Sequence, residues 1–285
     1  MIYLNGEFMP LEDAKISVLD RGFIFGDGVY EVIPTYSRRP FRLAEHLARL
    51  QASLDAIRLA NPYDGAKWAE LVGKIIAGNP WEDQNVYLQI TRGVARRDHA
   101  FPKGLKPTVF LMASELVTPS AELMKSGAKA IVLPDFRWLR CDIKSTSLLG
   151  NCLLRTLAAD AGCAEAILVR DGELTEASAS NVFVVRNGTV LAPPKSHLIL
   201  PGITYDVVLE ILSGNAVPHE VRPVKESELR AADEIWVTSS SREVLPITTL
   251  DGRPVGSGKP GPVCARVHAL YQEFKAQVMR APAHA

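Results

Sequence analysis

The sequence predicts a mixed α/β (α+β) protein with two domains. Short apolar segments with strand character alternate with stretches in which apolar residues recur every three to four positions, as on one face of a helix. Asn-Gly and Asp-Gly dipeptides separate several of the strand segments and are typical of tight hairpins. The length of 285 residues suits two domains of ordinary size, each large enough to bury its own core.

The N-terminal part is predicted to combine a hairpin, two helices and two further strands. Asn5-Gly6 lies between apolar runs and predicts the hairpin turn. Helical spacing and then strand character appear in residues 44–60, 68–76, 85–91 and 108–113. We therefore predict an N-terminal α/β domain over residues 1–113. Thr118-Pro119 lies in a segment without periodicity, so residues 114–121 are the predicted linker.

Residues 122–285 are predicted to form the second domain, which is rich in hairpins. Asp171-Gly172 and Asn187-Gly188 each separate two apolar runs and favour type I′ turns. The remaining predicted strands and helices are residues 130–133, 148–161, 204–212, 234–238 and 263–278. The last residues, 280–285, are predicted to be a frayed tail.

Charge and composition exclude several classes of protein. The chain has 32 basic and 32 acidic residues, which argues against nonspecific binding of nucleic acid or an anionic membrane. No apolar run approaches the length that spans a bilayer, and four cysteines without CxxC spacing suggest reduced thiols. We therefore expect a cytoplasmic protein. The six histidines lack metal spacing, and no phosphate loop, GxGxxG, HExxH or GxSxG motif is present.

The chemistry is therefore expected to lie in dispersed single residues. Lys144 falls between a strand and a helix, where partial desolvation would make its amine nucleophilic; an ordinary solvated lysine is the alternative. Glu176 precedes an apolar strand and suits a cationic ring nitrogen, or else is a simple turn acid. Leu200-Pro-Gly-Ile203-Thr204 leads into a helix, where the amides of Ile203 and Thr204 suit an anion, although Thr204 equally suits a helix cap.

Other polar residues are candidates for binding a phosphate or a carboxylate. Ser239 and Ser240 follow a predicted strand and suit a phosphate group or a solvated loop. Arg49 lies on the first helix, where a solvated arginine is the default. Arg97 and His99 are two residues apart in a loop, where both can reach one carboxylate. The alternative is that the triplet Arg97-Asp98-His99 is an ordinary basic surface turn.

Together these residues resemble the class IV, fold-type IV aminotransferases, which use pyridoxal 5'-phosphate. The resemblance runs from about residue 1 to residue 275. Its landmarks are the segment from Asp20 to Glu31, Lys144 with Leu149-Gly150-Asn151, Glu176 with Ser180-Asn181, and Leu200 to Thr204. Each motif alone is weak, but their order and spacing favour this family. It implies a small N-terminal α/β domain and a larger C-terminal pseudo-barrel that binds the cofactor.

The resemblance also implies roles for these residues. Lys144 would form the internal aldimine and shuttle a proton, and Glu176, in a segment with Ser180 and Asn181, would pair with the pyridinium nitrogen. Leu200 would pack on the ring. The phosphate would be held by the remaining cofactor residues, Arg49, Ile203, Thr204, Ser239 and Ser240.

Within the family the sequence is most similar to the D-amino-acid transaminases. Arg97 and His99, with Tyr30, resemble their trap for the substrate carboxylate, in which the first two residues serve the neighbouring subunit's active site. A homodimer follows, together with a ping-pong exchange between D-alanine and 2-oxoglutarate that gives pyruvate and D-glutamate. The alternatives are a branched-chain L-amino-acid aminotransferase, an aminodeoxychorismate lyase on the same fold, and a binding protein that keeps the fold without the cofactor.

Overall fold

The structure is a computed structural model that describes residues 1–281. These residues divide by their packing into two units. The first comprises Met1–Val117 together with Ile143–Leu148, and the second comprises Thr118–Asp142 together with the chain from Leu149 onward. The predicted tail therefore lies outside the described residues from position 282 on.

A six-stranded antiparallel sheet forms the framework of the first unit. Its strands follow the order β2-β1-β6-β5-β3-β4. They span Ile2–Leu4 (β1), Glu7–Met9 (β2), Gly28–Tyr36 (β3), Arg39–Pro40 (β4), Gln84–Thr91 (β5) and Thr108–Glu115 (β6). The hairpin predicted at Asn5-Gly6 is confirmed, because β1 pairs antiparallel with β2. Strand β3 was not predicted, since Glu31 and Pro34 interrupt its apolar pattern.

Helices cover this sheet and complete its core. A short helix α1 (Arg21–Phe25) precedes β3, and α2 (Leu43–Ala56) and α3 (Gly65–Ala77) follow it. The predicted spacing is confirmed, since Leu50, Leu54 and five residues of α3 are buried. Helix α2 ends at Ala56 rather than at residue 60 because Arg58 has a φ of 54°, which is left-handed and cannot continue the helix.

The segment Ile143–Leu148 packs with the first unit, which differs from the predicted domain boundaries. Ile143 joins the buried core of this unit. Val29 and Ser145 form an isolated antiparallel bridge, and the amide of Tyr30 donates to the carbonyl oxygen of Lys144 at 2.9 Å. The segment thus runs as an added edge beside β3. Pairing between residues so distant in the chain leaves no local sequence signal.

The predicted linker, residues 114–121, is shorter in the structure. Strand β6 continues through Glu115 because it pairs with β5 along its whole length, from Gln84 opposite Glu115 to Thr91 opposite Thr108. Helix α4 (Ala121–Ser126) begins directly after Ser120, whose side chain caps it by accepting from the amide of Leu123 at 3.2 Å.

A nine-stranded mixed sheet forms the second unit. Its order is β12-β11-β10-β13-β14-β7-β8-β9, and β15 pairs with β14. The strands span Ala128–Pro134 (β7), Glu165–Arg170 (β8), Glu173–Ala177 (β9), Asn181–Arg186 (β10), Thr189–Ala192 (β11), His219–Val221 (β12), Glu234–Ser239 (β13), Glu243–Leu250 (β14) and Arg253–Pro254 (β15). Both predicted hairpin turns are confirmed, with left-handed φ at both central residues of each.

The two edges of this sheet meet, which gives the expected pseudo-barrel. The chain just after β12 pairs with β9, because the amide of Leu174 donates to the carbonyl oxygen of Val224 at 2.8 Å and Glu173 bridges Lys225. Helices α5 (Leu149–Asp160), α6 (Ile203–Gly214), α7 (Glu226–Arg230) and α8 (Pro262–Phe274) surround it, and a π-helical turn (Lys275–Met279) follows. Strand β14 was not predicted because Pro246 and Thr248-Thr249 break its apolar run.

Candidate active site

Lys144 is held by its backbone in the first unit. Its amide donates to Ser53 Oγ at 3.2 Å, and its carbonyl oxygen accepts from the amide of Tyr30. Its side chain is half-buried, and Nζ lies 4.2 Å from the centroid of the Tyr30 ring. The amine is therefore placed over an aromatic face and partly removed from water, as a nucleophilic lysine requires. The structure brings together the predicted residues Lys144 and Tyr30.

A buried ionic cluster that sequence reasoning missed lies in the same unit. Glu31 is fully buried on β3 and accepts from Arg49 Nε and Nη2, each at 2.8 Å. Its Oε2 also lies 2.8 Å from His46 Nδ1. Burial alone would raise the pKa of Glu31, but the guanidinium of Arg49 and the bonds from Arg49 and His46 lower it to about 2. Arg49 is thus held rigidly by a bidentate ion pair.

The surroundings of His46 lower the pKa of its ring. Burial lowers its pKa, and the cations of Arg49 and Lys144 act in the same direction, although Glu31 opposes them. Its Nε2 is buried and has no hydrogen-bond partner among the described residues. The only signal for this cluster was the i, i+3 spacing of His46 and Arg49 on α2, which places both on one face.

Arg97 and His99 lie in an exposed loop that follows β5. The guanidinium carbon of Arg97 is 5.4 Å from the centroid of Phe25, and the ring of His99 is 5.5 Å from the same centroid. Both side chains are exposed. The structure therefore places the two predicted carboxylate ligands against one aromatic ring.

Glu176 is a buried residue of β9 in the second unit. Its Oε1 lies 2.5 Å from Arg137 Nη1, while Oε2 accepts from the amide of Leu200 at 3.1 Å and from Asn181 Nδ2 at 3.3 Å. Asn181 Nδ2 also donates to the carbonyl oxygen of Leu200 at 3.1 Å. The predicted residues Glu176, Asn181 and Leu200 therefore form one hydrogen-bonded group, and the turn-acid alternative for Glu176 is wrong.

Burial dominates the titration of Glu176. It raises the pKa of this carboxyl to about 7, although the charge of Arg137 and the bonds from Arg137 and the Leu200 amide act to lower it. Arg137, which sequence reasoning missed, also donates to Asp135 Oδ2 at 2.9 Å. Its pKa is raised because those carboxylates outweigh the effect of burial. A buried carboxyl group whose pKa lies near 7 is typical of a functional site.

Ser180 is oriented away from this group. Its hydroxyl donates to Glu165 Oε2 at 3.1 Å, and the hydroxyl of Ser178 also donates to Glu165. Asn151, another landmark of the sequence, donates from Nδ2 to the carbonyl oxygen of Ser178 at 2.8 Å. These bonds fix the turn between β9 and β10, which carries Glu176 and Asn181 at its two ends.

The N-terminus of α6 presents free amides. Gly202 is its N-cap, and among the residues that the structure describes no side chain caps this end. The amides of Ile203 and Thr204 in the first turn therefore suit an anion, with the helix dipole behind them. A Cβ at Gly202 would collide with Asn181 Oδ1, so a glycine is needed for the approach of the two segments. The cap alternative for Thr204 is wrong, since this residue lies inside the helix.

Ser239 and Ser240 lie at the end of β13. The hydroxyl of Ser239 accepts from the amide of Arg242 at 3.1 Å, which closes a tight turn into β14. Both serines are half-buried.

Neither a membrane-spanning helix nor a metal centre is found in residues 1–281. No described helix has the length and apolarity needed to cross a bilayer. Likewise, no three or more histidine, cysteine or acidic residues within the described range are grouped as metal ligands.

The chain matches the family model of amino-transferase class IV over residues 28–250, and it belongs to that family. It is 40% identical to the D-alanine aminotransferase of Bacillus licheniformis, over 95% of each chain. It is also 38% identical to the D-alanine aminotransferase of Staphylococcus aureus (strain MW2), over 96% of this chain and 97% of that one.

A solved structure is similar over almost the whole chain. The T.th. branched-chain amino acid aminotransferase with pyridoxamine 5'-phosphate has a TM-score of 0.90 and 29% identity, over 99% of this chain and 95% of that one. The fold is therefore fold-type IV, and the chain is a pyridoxal-phosphate-dependent aminotransferase.

The residues present fit this cofactor. The buried carboxyl of Glu176 suits a ring nitrogen that carries a proton, because such a cation would favour the ionised form that burial disfavours. The uncapped amides at the start of α6 and the rigid guanidinium of Arg49 suit a phosphate, and the half-buried amine of Lys144 suits an aldehyde carbon. The donor set therefore has a counterpart for each polar part of pyridoxal phosphate.

Proposed function

We propose that this chain is a D-amino-acid transaminase that moves the amino group of D-alanine to 2-oxoglutarate, giving pyruvate and D-glutamate. The identity of about 40% to D-alanine aminotransferases over nearly the whole chain carries the proposal. The pairing of Arg97 and His99 on one aromatic ring supports it, because both side chains suit a carboxylate.

Lys144 is the catalytic residue of this proposal. Pyridoxal phosphate, when bound, supplies an electron-withdrawing ring that stabilises negative charge at the substrate Cα. Lys144 is the residue that would hold the cofactor at its aldehyde carbon, and its amine would serve as the base for the proton at the substrate Cα. Its position over the ring of Tyr30 limits the directions from which it approaches. That restriction serves a reaction at one face of Cα.

Glu176 would hold a proton at the ring nitrogen of the bound cofactor. Asn181 and the amide of Leu200 fix the direction of its Oε2, so a proton on the ring nitrogen meets a fixed acceptor. Leu200 would pack against the cofactor ring, and Ser180 stiffens the turn through Glu165. The phosphate would be held by the remaining cofactor residues, Arg49, Ile203, Thr204, Ser239 and Ser240.

The substrate carboxylate is bound by Arg97 and His99, together with Tyr30. Arg97 offers a bidentate, charge-assisted pair of hydrogen bonds that a neutral side chain cannot replace. Fixing the carboxylate fixes which face of Cα meets the base, so this trap selects D-amino acids.

We infer that the enzyme is a homodimer, with active sites at the interface. Helix α5 exposes Leu149, Leu153 and Leu157 at i, i+4 and i+8, with 74%, 50% and 46% of each side chain open to solvent. Trp138 and Leu139 are also exposed, in a loop of the same unit about ten positions before the helix. A row of large apolar side chains of this kind fits a second copy of the same surface.

We also infer a cytoplasmic location. All four cysteines are free, and Cys141 and Cys264 are buried. Free thiols are typical of a reducing compartment.

The branched-chain L-amino-acid alternative rests on the shared fold. The solved branched-chain enzyme is similar in structure but only 29% identical, whereas the D-alanine enzymes reach 40%. Similarity of fold does not decide between substrates on one scaffold, because specificity depends on the residues that contact the substrate. Arg97 and His99 favour the D-amino-acid substrate.

A half-reaction tests the choice. The holoenzyme is mixed in turn with D-alanine, L-leucine and aminodeoxychorismate, and absorbance follows the conversion of the cofactor to its amino form. We expect conversion with D-alanine, release of pyruvate, and D-glutamate after 2-oxoglutarate is added. Conversion of the cofactor by L-leucine but not by D-alanine would overturn the proposal. Formation of pyruvate from aminodeoxychorismate but not from D-alanine would also overturn it.

A further inference from the structure

One buried arginine, Arg21, donates hydrogen bonds to the backbone of the exposed loop that carries Arg97 and His99. Arg21 is 2% exposed, and its Nη1 donates to the carbonyl oxygen of Asp98 at 2.5 Å. Its Nη2 donates to the carbonyl oxygen of His99 at 3.4 Å. The backbone between the two proposed carboxylate ligands is therefore fixed by a charged donor, although the side chains above it are open to solvent.

Asp27 fixes that arginine in turn. It accepts from Arg21 Nε at 2.7 Å and from Arg92 Nε at 2.8 Å, and all three side chains are less than a tenth exposed. Arg92 also donates to the carbonyl oxygens of Ile57 and Arg58, which follow α2, at 2.7 and 3.2 Å. The loop is thus tied through two arginines and one carboxylate to the end of a helix.

Two aromatic rings separate the arginines of this region. The centroid of Phe25 lies 4.7 Å from Cζ of Arg21 and 5.4 Å from Cζ of Arg97. The centroid of Phe101 lies 5.8 Å from Cζ of Arg21 and 3.6 Å from Cζ of Arg92. The result is an alternating cation–aromatic series, Arg97, Phe25, Arg21, Phe101 and Arg92.

Such a series has an electrostatic reason. Arg21 and Arg92 both pair with Asp27. Arg97 adds a third guanidinium charge beside Phe25, so the mutual repulsion of these cations needs compensation. The negative face of an aromatic ring attracts each cation, and a leucine of similar bulk would not. Phe25 also contacts the His99 ring at 5.5 Å. Phe25 therefore lies beside both proposed carboxylate ligands and their buried support, Arg21.

We propose that Phe25 is a positioning residue that fixes Arg97 and His99 for a carboxylate-bearing substrate, with Arg21 and Phe101 as its supports. This inference rests on the proposed function, in which Arg97 and His99 bind the substrate carboxylate. It goes further by assigning the orientation of that trap to the cation–aromatic series.

The test compares D-alanine with D-alaninamide, which lacks the carboxylate charge. Four variants of the holoenzyme are assayed beside the wild type: Phe25→Leu, Phe25→Tyr, Arg97→Ala and Phe8→Leu. Phe8 is the matched control, since its ring also lies near a cation, Lys74 Nζ at 5.7 Å, but on strand β2. For Phe25→Leu we expect KM for D-alanine to rise about tenfold, with kcat within about twofold.

The preference for D-alanine over D-alaninamide should fall about tenfold in Phe25→Leu and remain in Phe25→Tyr and Phe8→Leu. General damage to the fold would lower the activity with both substrates equally and leave the preference for D-alanine intact. Should Phe25→Leu fail to fold, Phe101→Leu serves instead, because Phe101 is 50% exposed. There we expect a fall of about threefold.

The two proposals fail separately. If Arg97→Ala keeps the preference for D-alanine, the carboxylate trap assigned to Arg97 under the proposed function is wrong. If Arg97→Ala loses the preference while Phe25→Leu, or Phe101→Leu in its place, retains it, the trap stands and the positioning role of Phe25 is refuted.

Discussion

Arg137 Nη1 lies 2.5 Å from Oε1 of Glu176, and both side chains are buried. The carboxylate proposed to serve the cofactor ring therefore has a resident cation. Arg137 counters the effect of burial, which raises the pKa of Glu176. Asp135 balances the second side of the guanidinium, so the charge of Arg137 is shared between two acids.

This relationship predicts a pH effect in Arg137→Gln. Without the guanidinium, the pKa of Glu176 should rise further above its present value of about 7, because burial is then less opposed. Activity at pH 7 should fall at least tenfold and recover toward higher pH, as the carboxylate forms again. The measurement is the pH profile of kcat/KM for D-alanine. Arg140→Gln is the control, since Arg140 is exposed and pairs with Asp142; an unshifted acid limb in Arg137→Gln would contradict this account.

Glu176 should also affect the stability of the cofactor-free protein. Its pKa is raised from 4.5 to about 7, so its protonated form is the one that the fold favours. Its contribution to the free energy of unfolding is then fully present below pH 4.5 and is lost as the pH rises through 7. When Glu176 is fully ionised, the unfolding free energy has fallen by about 3 kcal/mol, which corresponds to the whole shift in its pKa.

Urea unfolding of the cofactor-free protein at pH 4.5 to 8 measures this effect. The wild type should lose stability as the pH rises, whereas Glu176→Gln has no carboxyl to titrate at this position. The unfolding free energy of the variant should therefore increase relative to that of the wild type as the pH rises. Glu173→Gln is the control, because Glu173 is exposed on the same strand. A difference that does not change with pH would refute the titration of Glu176 in this range.

Glu31→Gln should weaken both the fold and cofactor binding. The change removes the bidentate ion pair between Glu31, which is fully buried, and Arg49, which is 11% exposed; breaking a pair of this kind costs about 3 kcal/mol. Arg49 also loses its fixed direction, so affinity for pyridoxal phosphate should fall at least tenfold. Thermal unfolding and fluorescence titration with the cofactor measure the two effects. The control is Glu70→Gln, whose exposed pairs with Lys67 and Lys74 contribute little; equal behaviour of both variants would refute the role of Glu31.

The sequence predicted what is local and missed what is distant in the chain. The spacing of α3, the hairpin turns at Asn5, Asp171 and Asn187, and the start of α6 depend on neighbouring residues and are confirmed. Arg137 lies 39 positions from Glu176, and no pattern in the sequence connects them.

The same limit applies to the first unit. Glu31 and Arg49 meet because β3 and α2 pack together, and a glutamate in an apolar strand reads as an interruption until its partners are known. Asp27 likewise reads as a turn residue, although it binds two buried arginines. Buried ion pairs are set by tertiary packing, so their members were identified only in the structure.

Lys144→Ala should abolish transamination and the visible absorption of the bound cofactor. The amine is the only group proposed to bind the aldehyde carbon, so its loss should lower kcat by at least about 10³-fold. Absorbance of the protein after addition of pyridoxal phosphate, and a D-alanine assay, measure this. Lys129→Ala is the control, because Lys129 is exposed on β7. A colourless wild type would contradict the assignment, and so would a Lys144→Ala variant that keeps the absorption.

The leucine row on α5 predicts the oligomeric state. In Leu153→Lys a charge replaces the central member of the row formed with Leu149 and Leu157, and burying an unpaired ammonium at an interface is strongly unfavourable. Light scattering should therefore show the wild type at twice the chain mass of 31.1 kDa and the variant at that mass itself. If the sites lie at the interface, activity should fall with the dimer. Val221→Lys is the control, since Val221 is 48% exposed on the edge strand β12, outside the leucine row. A dimeric Leu153→Lys, or a monomeric wild type with full activity, would contradict the prediction.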